Sequence, residues 1–480
     1  MPCYTSFNVK AFKERKLQKF ERLTKNLIRN NRPGTLYVPV LLLWFRLALN
    51  KEERRLMALV VAKFGGTSVA NIERIKGVAD RLIEKKKAGD EVVAVVSAMG
   101  KSTDDLVSLA DNLNKKPGQR EMDMLLSTGE QVSMALLAMA IQAKGYDAIS
   151  YTGWQAGIET DTAFNSAKIE VIHADRIRES LDEGKIVVVA GFQGLTSMGD
   201  ITTLGRGGSD TTAVALAAGL NADVCEIYSD VEGVYTADPR ICPRAKKLDE
   251  ICYDDMLELS GAGSGVLQSR AVEFARKYNV VIHSRSAFSD APGTLVKETT
   301  MEKAVITGIA HDTSEMRITI RGLADESGMA AKIFSTLASH RVSVDMIIQN
   351  ASSDNKANIS FTFPASQKAL AMEAVDEIID ELGATQVIID EKIAKVSLVG
   401  TGMKTSPGVA ARMFETLANE QINIGMISTS PIRLSVVIDL DQVEKAVQCL
   451  HTAFGLDSDT IFEETQLSPE EIAAKMNKGR

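Results

Sequence analysis

Leu59-Val60-Val61-Ala62-Lys63-Phe64-Gly65-Gly66-Thr67-Ser68 sets a short apolar run directly before a lysine and two glycines. An apolar run of this length reads as a buried strand. The glycine pair at its end lets the backbone come close to a charged ligand, because neither residue carries a Cβ. Consecutive amides near a helix start favour anions, phosphate above all, and Lys63 adds a mobile positive charge. By itself the run is equally a tight turn between strand and helix.

Beyond that run, apolar stretches recur at 92–96, 186–190 and 224–228, separated by helical stretches such as 72–87 and 123–143. Near-continuous apolar strands alternating with helices predict an α/β fold, a mostly parallel sheet with helices on both faces. Ligands of such sheets bind past the carboxyl ends of the strands. The glycine-rich and polar clusters of this chain stand at those places: after 62, after 96, after 190 and after 228.

Three of these clusters carry further chemistry. Gly191-Phe192-Gln193-Gly194 leads on to Gly205-Arg206-Gly207-Gly208-Ser209-Asp210-Thr211-Thr212. Glycines around an arginine can wrap an anion, Arg206 suits bidentate binding of a carboxylate, and Asp210 can orient Lys63 or a metal. Ser209 to Thr212 are expected to cap a helix from Ala213 to Ala218. Leu126-Ser127-Thr128-Gly129-Glu130-Gln131 is expected at a helix start, where Glu130 either caps the helix or holds a substrate ammonium. Ser229 to Arg240 follows a strand and is either a plain loop or the edge of a nucleotide site. Together the clusters call for one phosphate pole and one small zwitterion. A carboxylate acceptor needs no general base, being ionised at pH 7. Phosphoryl transfer to it rests on alignment and neutralised charge.

At 480 residues the chain is long enough for about two to four domains. Residues 1–56 hold 13 Lys/Arg and 4 Asp/Glu, a net of +9, which leaves −17 for the remainder of a chain whose total is −8. An acidic body argues against nucleic acid as the main partner. Leu36 to Leu49 is apolar but contains Pro39 and Arg46, and it is shorter than the roughly 20 residues of a membrane span. Lys51-Glu52-Glu53 can be encoded by a purine run resembling a ribosome-binding site just before Met57. The expectation is a protein that begins at Met57, with 1–56 an upstream extension of the frame. The five cysteines show no C-x-x-C pairing and read as reduced thiols in the cytoplasm. The five histidines lack the spacing of a zinc site.

The C-terminal part repeats itself. Gly328 to Ile347 matches Gly408 to Ile427 at a shift of 80, with 9 of 20 positions identical, among them Phe334/Phe414, Leu337/Leu417 and Met346/Met426. Each copy reads strand, glycine turn, amphipathic helix, strand. A duplicated small α/β module suggests a paired binding unit.

The motifs at Lys63 to Ser68, Ser97-Ala98-Met99, Ser127 to Gln131, Gly153 to Gly157, Thr202 to Thr212, Tyr228-Ser229-Asp230 and Val234 to Arg240 resemble those of the aspartate kinases, within the amino-acid kinase family. The resemblance runs from Met57 to about Leu456 and is to the monofunctional kind. It implies an amino-acid kinase fold at 57–300, followed by two ferredoxin-like α+β ACT modules in the regions 301–390 and 391–480. It implies ATP and Mg²⁺ as cofactors, L-aspartate as acceptor, and lysine and threonine as effectors, with the metal carried on the ATP phosphates. By position, Lys63 would neutralise the transferring phosphoryl group and Asp210 would organise lysine and Mg²⁺. Glu130 would hold the aspartate ammonium and Arg206 its α-carboxylate, with Ser97, Thr103, Gly207, Gly208 and Ser209 around the acceptor. Phe64, Gly65, Gly66, Ser229, Asp230, Tyr235, Asp238, Pro239 and Arg240 would border the nucleotide. Asp325, Gly328, Ala330, Gln349, Asn423 and Ile424 match effector positions. A homo-oligomer is implied, or a hetero-oligomer with a shorter subunit started at Met301. The sequence departs from the family's pattern at Gly265, where a lysine is usual, at Ser269 and Ser327, where proline is common, and at Pro431, where glutamate is usual. Pro431 is expected to remove a backbone donor from a strand start. The competing readings are another amino-acid kinase and a non-catalytic amino-acid sensor.

Overall fold

The computed structural model describes residues 57–298, 305–351 and 356–458. The expectations for 1–56, for Cys3 and for Met301 fall outside them.

The first twelve strands are β1 (Leu59–Phe64), β2 (Glu91–Val96), β3 (Ala148–Tyr151), β4 (Ile158–Thr160), β5 (Ile169–Ile172), β6 (Ile186–Ala190), β7 (Gln193–Thr196), β8 (Ile201–Thr203), β9 (Val224–Ser229), β10 (Glu250–Ile251), β11 (Ile282–Ser286) and β12 (Thr294–Val296). Eight of them form one sheet in the order β10-β12-β11-β9-β1-β2-β6-β3, and β5-β4-β7-β8 form a small second sheet. β1 lies between β2 and β9, parallel to both, with Lys63 level with Val95 and Ile227. Alternate residues face opposite sides of such a strand. Val61, Val93 and Val187 pack with Val214 and Ala217 of the helix Gly208–Leu220 and with Val272 of the helix Ser269–Tyr278. The helices Ile72–Ala88 and Gln119–Gln142 pack on each other and against β2 and β6. Gln119–Gln142 is long and apolar enough to cross a membrane by composition alone. Here its Leu126, Met134, Leu137 and Ile141 are buried in the core.

The remaining strands are β13 (Gly308–Asp312), β14 (Glu315–Ala324), β15 (Ile347–Ala351), β16 (Lys356–Pro364), β17 (Gln386–Asp390), β18 (Ile393–Val399), β19 (Met426–Ser430) and β20 (Arg433–Asp439). β15-β16-β14-β17 form one sheet with the helices Met329–Ser339 and Lys368–Leu382. β13-β18-β20-β19 form another with the helices Val409–Asn419 and Val443–Ala453. The duplication is visible in the backbone: Met329–Ser339 and Val409–Asn419 each follow a left-handed glycine, Gly328 and Gly408, both with φ 99°. The division expected at 390 is corrected by β13. That strand precedes the first module yet pairs with β18 of the second, so the first module is inserted into the second. Ile309 of β13 accordingly packs in the second module's core.

Buried contacts join these parts. Lys395 on β18 reaches Glu315 at 2.7 Å and Asp345 at 2.5 Å, linking the two modules. Asp255, in the helix Tyr253–Gly261 of the N-terminal α/β part, accepts bonds from Thr401 N at 2.9 Å and Thr307 Oγ1 at 2.8 Å.

Candidate active site

The strand period puts Lys63 on the same face as Val61. There its Nζ meets Asp210 Oδ1 at 2.5 Å, with the two side chains only 12% and 10% exposed. Phe64 faces the other way and stacks on Tyr228 at 4.8 Å. Gly65 spends its amide on Tyr228 O at 3.3 Å. Gly66 permits close approach, since a Cβ there would stand 2.9 Å from Ala98 O. A short 3₁₀ turn, Gly66–Val69, follows with no side-chain cap.

The end of β2 is tied to β1 and to the helix Gln119–Gln142. Ser97 N donates to Phe64 O at 3.1 Å, Ser133 Oγ to Ser97 O at 2.7 Å, and Ala98 N to Glu130 Oε1 at 3.0 Å. Glu130 therefore sits mid-helix, not at a helix start, so the capping alternative is excluded. It is 3% exposed, and its Oε2 has no partner among the described residues. Burial pushes its pKa up to about 7. Gly129 allows this approach, because a Cβ would come within 2.9 Å of the Ala98 Cβ. Thr103 lies half-buried in the first turn of the helix Ser102–Leu113, without a bond to these groups.

After β6 the chain passes Gly191, whose missing Cβ makes room for Ser209 at 2.8 Å. Phe192 takes a left-handed φ of 70° and donates its N–H to Thr212 Oγ1 at 3.1 Å. The expected cap at Ser209 to Thr212 is corrected. The helix begins at Gly208, with Gly207 (φ 69°) at its cap position and no side-chain cap. Ser209 and Asp210 lie in its first turn, while the Thr211 and Thr212 hydroxyls bond back to Gly207 O and Gly208 O. Arg206, between Gly205 and Gly207, is exposed and makes no ion pair among the described residues.

The loop after β9 brings up the last group. Asp238 and Arg240 bond each other, Nε to Oδ1 at 3.0 Å and Nη2 to Oδ2 at 2.6 Å, which holds Asp238 below the usual carboxylate range. Ser229 and Tyr235 are half-buried, and Asp230 and Pro239 exposed. Asp325, Gly328 and Ala330 gather at the start of Met329–Ser339, and Gln349 lies on β15 of the same module. Asn423 and Ile424 precede β19 in the other module. Gly265 has φ 66° and open space, with nothing nearer to a Cβ than Gly263 O at 3.9 Å. Ser269 opens the helix Ser269–Tyr278. Pro431 falls in the two-residue turn between β19 and β20, where Ser430 pairs with Arg433, so it removes no ladder donor and that expectation is corrected.

Several supporting contacts escaped the sequence reading. Asp123, fully buried, accepts from Asn165 N, Thr203 N and Thr203 Oγ1, fixing β8 before the Arg206 loop. Gln193 Nε2 donates to Ser127 O at 2.8 Å. Arg270 donates to Leu204 O and Ala167 O, both at 2.7 Å. The available signal was Asp123 itself: an acid seven residues before Glu130, on the apolar stripe of Leu126, Leu137 and Ile141.

Residues 58–284 match the amino acid kinase family, and 318–378 and 396–454 match the ACT domain. An aspartokinase of Mycolicibacterium smegmatis is 53% identical over 410 residues, covering 84% of this chain and 97% of that protein. The crystal structure of E. coli aspartokinase III in complex with aspartate and ADP matches with a TM-score of 0.68 at 27% identity, over 82% of this chain and 99% of that one. The same enzyme in complex with lysine and aspartate gives 0.68 and 27% over 84% and 100%.

Proposed function

The chain belongs to the amino acid kinase family, and within it to the aspartokinases, and we propose how its residues divide the transfer of the ATP γ-phosphoryl group to the side-chain carboxylate of L-aspartate. The observation that carries the assignment is Glu130, a buried carboxylate with one oxygen unspent at the strand ends. That oxygen holds the aspartate ammonium. Arg206, without an ion pair among the described residues, takes the α-carboxylate, with Gly207, Gly208 and Ser209 beside it. Ser97 and Thr103 line the acceptor side. Lys63, held by Asp210, meets the phosphoryl group and neutralises the charge that develops on it. Phe64, Gly65 and Gly66 lie under the phosphates. Ser229, Asp230, Tyr235, Asp238, Pro239 and Arg240 border the nucleotide.

No group of three His, Cys, Asp or Glu side chains among the described residues could cage a metal ion. The Mg²⁺ of this reading is carried on the ATP phosphates, its usual partners in phosphoryl transfer. Asp210 is the carboxylate at hand to support it, and the ion would screen phosphate charge. Asp325, Gly328, Ala330, Gln349, Asn423 and Ile424 take lysine or threonine as feedback effectors, and the protein works in the cytoplasm as an oligomer. Capture of 4-phospho-L-aspartate by hydroxylamine tests the assignment. Product is expected only with ATP and L-aspartate, not with glutamate or N-acetylglutamate, and lysine or threonine should lower it. A full-length protein that forms no product would overturn the kinase reading in favour of a sensor.

A further inference from the structure

The acceptor-side groups Ser97 and Glu130, and Gln193 that supports Ser127 near them, make their hydrogen bonds within the catalytic domain. The loop after β9 does not. Thr236 stands between Tyr235 and Asp238, and its carbonyl accepts the Ile309 N–H of β13 at 2.7 Å. Its hydroxyl accepts the Lys246 N–H at 2.9 Å and meets His451 Nε2 at 2.9 Å. Gln448 Nε2, one turn earlier on the helix Val443–Ala453, donates to Ile241 O at 2.7 Å. Ala237 and Cys242 of the same loop are buried in the second module's core with Leu450 and Phe454.

His451 is fully buried, and its Nδ1 has no partner among the described residues. A proton on Nδ1 would be an orphaned donor, so accounting places it on Nε2, donating to Thr236. Burial also lowers the pKa of the ring and keeps it neutral.

We propose that His451 and Gln448, on the last helix of the second ACT module, are positioning residues for the nucleotide, holding the Tyr235–Arg240 loop through Thr236 and Ile241. This rests on the assignment of that loop to ATP. Among the described residues it gives the module a direct hold on the nucleotide side and none on the acceptor side, so a change in the module reads out as altered ATP affinity.

The test is steady-state kinetics of the full-length chain with His451→Ala, His451→Gln and Gln448→Ala. Gln448 is only half-buried, which keeps one variant folded if His451→Ala is not. His451→Ala and Gln448→Ala should raise the KM for ATP about tenfold while the KM for aspartate moves less than about twofold. His451→Gln restores a donor near Thr236 and should recover most of the loss. If both KM values shift alike, or neither shifts, or His451→Gln matches the alanine variant, the positioning role is wrong. A wild-type chain that neither binds nor turns over ATP overturns the nucleotide assignment, and this inference with it. A wild-type chain that does both isolates the positioning role.

Discussion

Burial raises the Glu130 pKa from 4.5 to about 7, and this fixes the sign of its effect on stability. The native state holds its proton at pH values where the unfolded chain has lost it. Its contribution is therefore favourable below pH 4.5 and is lost as pH rises through 7, a difference on the order of 3 kcal/mol. Glu130→Gln should raise stability at pH 8 by about 2 kcal/mol and change little at pH 4.5, as read by urea titration. The same variant should raise the KM for aspartate at least about a hundredfold, because a buried carboxamide cannot pair with an ammonium. Lys63 and Asp210 form a second such site. Lys63→Ala should lower kcat by about 10² to 10³ and destabilise the fold by about 3 kcal/mol by leaving Asp210 buried without its cation. Adding Asp210→Asn should return most of the stability and none of the turnover. Gly265→Lys has room at the residue itself. It should lower the KM for ATP several-fold, at about 1 kcal/mol for a side chain at positive φ.

Glycines in two settings separate space from conformation. Gly66→Ala pushes a Cβ to 2.9 Å from the Ala98 carbonyl and should cost about 1–3 kcal/mol together with activity. Gly77, inside the helix Ile72–Ala88, meets nothing within 4 Å, so Gly77→Ala should stabilise by about 0.5–1 kcal/mol and leave turnover alone. Chemical denaturation of both variants checks the pair. β1, β2, β6 and β9 were legible because buried parallel strands are continuous apolar runs, and the polar residues after them followed from where such strands end. Helix starts were less legible. Gln119 precedes a visible periodicity that begins at Asp123, and the helix at Gly208 uses no side-chain cap that a sequence could announce. Asp123, Gln193 and Arg270 act through backbone groups up to 103 residues away. Nothing local encodes such partners.

Insertion of one module into the other is the feature that the repeat concealed, because a shift of 80 residues says nothing of which strand pairs with β13. Asp255 joins the catalytic domain to both the Thr307 and Thr401 ends of the second module. Asp255→Ala should split a single melting transition into two by calorimetry, with the module unfolding first. The insertion also sets an order of synthesis. β13 leaves the ribosome about eighty residues before β18, a wait on the order of ten seconds during which its pairing edge has no partner. The inner module can close while the outer one is still unfinished. Val443–Ala453, the helix that grips the Thr236 loop, is translated after every strand of both sheets. On the positioning role proposed for His451 and Gln448, a chain that ends before this last helix should therefore bind ATP more weakly than the full chain.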